Sequence, residues 1–404
     1  MTEQINTPEL RFPEFKEKWK EFSLEDKSDL ITKGTTPKVW DKNGEVNFIK
    51  VENIEKHSGK VKTTSKISYH EHSTHLKRSI LEEGDILFSI AGTLGRITII
   101  NKKILPANTN QALAIIRNTS INKYYLKTYL LGKSIKEYIR KNPTVGAQPN
   151  LSLKQIKSFK IKTPDFIEQE KIGIFFSKLD RQIELGEKKL ELLEQQKKGY
   201  MQKIFSQELR FKDDNGNDYP NWAVVKLKDI LSERKEYASK TENYPHATLS
   251  TSGITLKSDR YNRDFLVKDK SKKYKVTIMN DICYNPANLK FGVITRNRIG
   301  SVIFSPIYIT FEVNNGYSPL FIELLVTRND FINRVRKYEE GTVYERMAVK
   351  PEDFLNYETE IPCLEEQKKI GDFLVKIDKL IENQSKKIDC LKQRKQGLLQ
   401  KMFV

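Results

Sequence analysis

The feature that most constrains this chain is a long segment that occurs twice. Pro164-Asp-Phe-Ile-Glu168-Gln-Glu-Lys171-Ile-Gly173-Ile-Phe175 returns as Pro362-Cys-Leu-Glu-Glu366-Gln-Lys-Lys369-Ile-Gly371-Asp-Phe373, and the match continues without a gap to the C-terminal residues. Lys178 and Asp180 recur as Lys376 and Asp378, Ile183 and Glu184 as Ile381 and Glu382, and Lys188 and Lys189 as Lys386 and Lys387. Gly199, Gln202, Lys203 and Phe205 recur as Gly397, Gln400, Lys401 and Phe403. Roughly half of the positions agree over about forty residues, which two unrelated helices of similar composition would not show.

Within each copy the apolar residues step by four and three. The first runs Ile172, Phe176, Leu179, Ile183, Leu190, Leu193, Tyr200, Ile204, and the second Ile370, Leu374, Ile377, Ile381, Ile388, Leu391, Leu398, Met402. That spacing is a coiled-coil seam, which needs a facing helix to fill. The nearest partner for each copy is the other. Both are interrupted at matching points, Gly186 with Gln384 and Lys197 with Lys395. A helix of about forty residues is roughly 60 Å long, and each copy opens after a proline with acidic residues in its first turn.

The repeated helices cut the chain into four segments: a module over 1–163, a helix over 164–206, a module over 207–361 and a helix over 362–404. The modules start alike, with Glu9-Leu10-Arg11-Phe12 ahead of Trp19 and Glu208-Leu209-Arg210-Phe211 ahead of Trp222. Strand-like runs in the first lie at Val46 to Ile54, Asp85 to Ile90, Arg96 to Ile100 and Gln111 to Ile116, followed by a helix from Tyr124 to Ile139. The second offers Trp222 to Leu231, Tyr274 to Ile278, Val293 to Ile294, Ser301 to Ile309 and a helix from Leu320 to Val335. Gly84-Asp85-Ile86-Leu87 corresponds to Asn280-Asp281-Ile282-Cys283, after which the residues diverge. Similar scaffolds with dissimilar loops point to two binding sites with different targets.

With 71 Lys and Arg against 53 Asp and Glu, the formal charge is +18, which favours a polyanionic partner through phosphate neutralisation. Met1 to Phe12 lacks the apolar core of a signal peptide and no apolar run is long enough for a bilayer, so a cytoplasmic protein is expected. Cys283, Cys363 and Cys390 are widely spaced and fit reduced thiols.

The order of variable module, Pro-led helix containing Glu-Gln-x-Lys-Ile-Gly, second module and second such helix resembles the specificity subunits of type I restriction-modification systems, over essentially the whole chain. Family-like stretches are Gly84-Asp-Ile-Leu-Phe-Ser89, Asn110-Gln111-Ala-Leu-Ala, Gln148-Pro-Asn150-Leu-Ser-Leu and, in the second module, Asn280-Asp-Ile-Cys283 with a weaker match near Gly341 to Val349. The resemblance implies an α+β architecture. Two similar mixed α/β target-recognition domains would be separated by two long helices that pair as an antiparallel coiled coil with pseudo-two-fold symmetry. It further implies a non-catalytic subunit reading a split double-stranded DNA site. An adenine methyltransferase, in two copies, and a motor-nuclease restriction subunit would supply the chemistry. S-adenosylmethionine, ATP and magnesium would then belong to those partners, and this chain would hold no cofactor.

Catalytic motifs fall short. Asn285-Pro286-Ala287-Asn288 lacks the second proline and the aromatic of an adenine methyltransferase loop. Gly132-Lys133-Ser134 ends like a phosphate-binding loop, but Lys127 stands at its first glycine position. Asp165 and Glu187 with Lys188 mimic a nuclease centre faintly, and the second copy has Cys363 and Ser385 there. His70, His72 and His75 lack an acidic or thiol partner at metal-binding spacing. The competing readings are a coiled-coil scaffold that never touches DNA and a self-sufficient nuclease or methylase.

Base reading uses Arg, Lys, Asn, Gln, Ser and Thr on firmly held loops. The first-module candidates are Lys33, Thr35, Thr36, Lys38, Ser89, Thr93, Arg96, Asn108, Asn110, Gln111 and Gln148. Those of the second are Arg234, Tyr237, Ser250, Thr251, Asn285, Asn288, Lys290, Arg296 and Arg346. Each position also fits an ordinary turn.

Overall fold

The computed structural model describes residues 7–403 except 57, 63, 143–149, 240–242, 258–272, 339 and 342–346. It divides into two units, residues 1–192 with 382–404, and residues 193–381. The division differs from the four sequence segments, because each unit takes one module, the start of one long helix and the end of the other. The long helices span Phe166–Phe205 and Leu364–Lys401.

In the first unit, a four-stranded antiparallel sheet has the order Leu30–Lys33, Leu113–Arg117, Ile86–Ser89, Ile97–Ile99. In the second, the order Leu231–Glu233, Ile309–Val313, Ile282–Tyr284, Ile294–Arg296 reproduces it strand for strand. A two-stranded ribbon closes each module: Lys20–Ser23 with Lys160–Thr163, and Ala223–Lys226 with Glu358–Ile361. The modules part at a further three-stranded sheet. Val46–Ile49 pairs in parallel with Ala107–Thr109 in the first, whereas Tyr274–Thr277 has antiparallel neighbours on both sides in the second.

The helix expected over Tyr124 to Ile139 is two helices, Lys123–Leu130 and Lys133–Lys141, broken where extended Gly132 caps the second; a Cβ there would meet the Tyr129 carbonyl oxygen at 2.8 Å. The counterpart over Leu320 to Val335 is likewise two, Pro319–Val326 and Asn329–Val335. The run Ser301 to Ile309 holds the strand Val302–Phe304 and only the first residue of the next.

The recurrent motif explains how a long helix is bolted to a module. Glu168 is fully buried and accepts two hydrogen bonds from Arg11, Nε to Oε1 at 2.8 Å and Nη2 to Oε2 at 2.7 Å. Glu366 accepts the same pair from Arg210 at the same distances. Gln169 accepts from the Asn122 backbone N–H at 3.0 Å and donates to the Pro164 carbonyl at 3.0 Å. Gln367 repeats this with Ser318 at 2.9 Å and Pro362 at 2.8 Å. Asn122 and Ser318 cap the module helices that follow them, so the Glu-Gln pair ties each long helix to both its lead-in segment and its module. Gly173 permits close approach of the module helix, since a Cβ would lie 3.0 Å from the Tyr125 backbone nitrogen.

Every residue of the expected seam is buried or half-buried. The ends of the helices, however, enter module cores as well as facing a helix. Ile172, Phe176, Leu398 and Met402 join a cluster with Trp19 and Tyr125, while Ile204, Ile370 and Leu374 join one with Trp222 and Phe321. In the first unit Asp180 meets Lys395 at 2.5 Å; in the second Asp378 meets Lys197 at 2.6 Å, the same contact with the two copies exchanged. Contacts that rise along one helix and fall along the other define an antiparallel pair. Gly186 admits Ile388 Cγ1, which would lie 3.1 Å from an added Cβ, and the Gly186 carbonyl accepts from Gln384 Nε2 at 3.1 Å. The two seam interruptions thus fit each other.

Candidate nucleic-acid interface

Each module anchors its loops on a buried aspartate behind a tight turn. Gly84 (φ +94°) precedes Asp85, and Asn280 (φ +75°) precedes Asp281, in the left-handed region that glycine and asparagine tolerate best. Asp85 accepts from Arg117 Nε and Nη2, both at 2.8 Å. Asp281 accepts from Arg234 Nε at 2.8 Å and Nη2 at 3.0 Å. Arg117 ends the strand Leu113–Arg117 and Arg234 follows the strand Leu231–Glu233, yet they build one arrangement. Their pairing, chiefly the hydrogen bonds to the carboxylates, holds both guanidinium groups above the ordinary arginine range. Arg234 also lies 3.3 Å from Glu312, so it braces the scaffold instead of standing free to read a base.

The first module brings its family-like stretches to one end of the sheet. Ile90 N–H donates to the Ala112 carbonyl at 2.8 Å, Leu151 N–H donates to the Ile90 carbonyl at 2.7 Å, and Ala91 bridges Asn150. Gly34 and Thr35 donate backbone hydrogen bonds to Leu113 and Thr109, and Thr36 Oγ1 donates to Gln111 Oε1 at 2.5 Å. A side chain at Gly34 would collide with the Thr109 carbonyl oxygen. Lys33, Thr36, Lys38, Thr93 and Gln111 are exposed on this surface, with Thr35 and Asn110 half-buried.

Three first-module candidates are corrected by burial or prior engagement. Asn108 is fully buried, accepting from His72 Nδ1 at 2.5 Å and donating to the Leu76 carbonyl at 3.0 Å. Ser89 is fully buried; its hydroxyl donates to the Thr93 carbonyl at 2.6 Å and accepts from Arg96 N–H at 2.7 Å. Arg96 Nη1 donates to the carbonyls of Ile54 at 2.8 Å and Val51 at 3.2 Å. All three shape loops from behind. Gln148 lies outside the described residues. His75 sits apart from buried His72, with its Nε2 3.2 Å from the Thr36 carbonyl. Among the described residues no group of three or more His, Cys, Asp or Glu converges on one point.

In the second module, the hairpin turn carrying Thr251 and Ser252 lines a cleft of about 480 Å³ with Gly292, Thr295, Arg296, Arg298 and Thr327. Ser250 is half-buried, and its hydroxyl accepts from Ser252 N–H at 3.2 Å. Arg296 is committed to Glu323 at 3.1 Å and Asn280 at 2.7 Å, whereas Arg298, 62% exposed, touches Glu323 through Nη2 alone at 2.9 Å. Arg298 is therefore the better-presented cation, and only its place in the turn after Arg296 could have signalled it. Asn285 is buried and caps the short helix Pro286–Phe291, accepting from Ala287 N–H at 3.2 Å. That makes it a turn-former. Asn288 and Lys290 stand exposed on the same helix, and Tyr237 is exposed with the Lys275 ammonium 5.5 Å from its ring centre. Arg346 lies outside the described residues.

Residues 16–195 match the family model for the type I restriction modification DNA specificity domain. The Methanocaldococcus jannaschii type I restriction enzyme MjaVIII specificity subunit is 26% identical over 80% of this chain and 79% of its own length. A putative MjaX specificity subunit of the same organism is 25% identical over 98% and 95%. Among solved structures, the type I restriction-modification S subunit from M. genitalium superposes with a TM-score of 0.60 at 15% identity, covering 98% of this chain and 99% of that one. A chain from a structural study of complex assembly in the type I R-M system gives 0.54 at 14% identity, covering 95% and 97%. These structural likenesses establish the common fold.

Proposed function

We propose that this chain is a specificity subunit of a type I restriction-modification system, as its similarity to that family suggests, and that it reads a bipartite DNA site, one half with each module. The observation that carries this reading is one four-stranded sheet order built twice, once in each module, beneath loops of different sequence. Duplicated scaffolds with unlike loops suit two unlike half-sites, and a fixed helix pair suits a fixed gap between them. The exposed lysines, threonines, glutamine and arginine at the loop ends have the donors that base edges and phosphates require.

Methyl transfer and cleavage fall to partners: adenine methyltransferase subunits, two of them, and a motor-nuclease subunit. S-adenosylmethionine, ATP and magnesium serve those subunits. Phe166, Ile167 and Ile174 are exposed on the first long helix and suit protein docking. No helix among the described residues is long and apolar enough to cross a membrane.

Exchanging residues 207–361 for the second module of a relative with a different methylation motif tests this assignment. One half of the methylated sequence should change while the other half and the gap persist; a change in both halves, or in neither, would contradict it.

A further inference from the structure

The loop that follows Lys33 to Lys38 ends in two exposed apolar residues, Val39 at 63% and Trp40 at 46%. An exposed tryptophan on a loop costs solvation, and here the ring is also held in place. It makes a T-shaped contact with buried Phe48, ring centres 5.1 Å apart, and the Lys50 ammonium stands 4.6 Å from its ring centre. Trp40 is rigidly presented, whereas an idle surface side chain would be left to move.

Its position joins it to the reading surface. Val46–Ile49 runs parallel to Ala107–Thr109, with Ile49 opposite Thr109, so Lys50 and Asn110 leave the sheet side by side at the same end. The Thr36 to Gln111 hydrogen bond draws the intervening loop onto that end. Trp40 and Val39 therefore share one patch with Lys33, Lys38, Lys50 and Gln111. An apolar centre ringed by lysine and amide groups matches duplex DNA, where phosphates flank base edges that include the thymine methyl group. An acidic protein would meet the lysines but has no reason to need the amides beside the indole.

We propose that Trp40, supported by Val39, is a specificity-determining contact of the first module, packing on base edges of its half-site while Lys50 is shared between the ring and a phosphate. This rests on the DNA-reading function above. Trp19 and Trp222 are only 2% and 9% exposed, so among this chain's tryptophans acrylamide quenches chiefly Trp40, and the difference between wild type and Trp40→Phe isolates its signal within the assembly.

The test uses the full chain assembled with its methyltransferase partner and a duplex carrying the sequence that the assembly methylates, with a scrambled duplex as control. The specific duplex should protect the exposed tryptophan from acrylamide, and the scrambled one should not. Trp40→Ala should weaken specific binding on the order of tenfold while changing scrambled binding little, and Trp40→Phe should recover most of the loss. Circular dichroism melting of each variant shows whether the module has stayed folded, and the wild-type quenching experiment needs no variant. Wild-type preference for the specific duplex with unprotected Trp40 would overturn this inference and leave the DNA-reading function standing. An absence of any preference in the wild type would overturn both.

Discussion

Arg11 holds Glu168 by two parallel hydrogen bonds, with the carboxylate fully buried and the guanidinium nearly so. Arg210 and Glu366 make the same two bonds in the other half of the chain. Removing one member of such a pair strands a buried charge, at a cost of about 3–5 kcal/mol. Glu168→Ala and Glu366→Ala should each lower the melting temperature of the unit that contains it. A calorimetric scan with unchanged transitions would show that the pair only decorates the joint.

The glycines of the long helices separate into two kinds. Gly173 faces Asn122, Tyr124 and the Tyr125 backbone, while Gly199 has open space where a Cβ would stand. Gly199→Ala should stabilise by up to about 1 kcal/mol through helix propensity, and Gly173→Ala should destabilise despite the same gain. Chemical denaturation of both variants checks the signs. Gly371→Ala should fall between them, because the flexible Leu320 side chain is what it would meet.

Exposed Lys290 and half-engaged Arg96 should behave differently toward DNA. Lys290→Ala is expected to weaken binding by the assembled complex and to reduce the slope of log affinity against log salt by about 1. Arg96→Ala releases the carbonyls of Val51 and Ile54, so its first effect should be a lowered melting temperature. Equal melting with a reduced salt slope for Arg96→Ala would return that residue to the DNA surface.

Burial raises the Cys283 thiol pKa far above its ordinary range. The folded thiol therefore stays protonated as pH rises through the range where an unfolded cysteine ionises, and folding stability falls with pH there through this group. Iodoacetamide at about pH 8.5 should label exposed Cys390 before half-buried Cys363 and leave Cys283 untouched until denaturant is added. Peptide mass mapping reads the order directly, and early labelling of Cys283 would contradict the burial.

Much of the architecture was legible because it was written twice. The helix pairing followed from a seam with matching interruptions, and Gly186 against Gln384 shows why those interruptions coincide. The loop residues were harder to read because buried and exposed polar residues look alike in sequence. Asn108 and Gln111 stand three positions apart with the same donor chemistry, yet one is sealed beside His72 and the other faces solvent. Arg117 and Arg234 serve equivalent aspartates from non-equivalent places in the fold, which no local pattern reveals. Arg11 and Glu168 were each visible, but their pairing depended on a tertiary approach across the whole first module.

Mapping methylated adenines in cells that express this chain with its partners tests the central claim most directly, particularly when each long helix is also lengthened by one heptad, roughly 10 Å. The account predicts a bipartite motif of two unlike halves with a fixed gap, and a gap about three base pairs longer in the lengthened variant if that variant still methylates. An uninterrupted motif, or a lengthened variant that methylates at the original spacing, would contradict it.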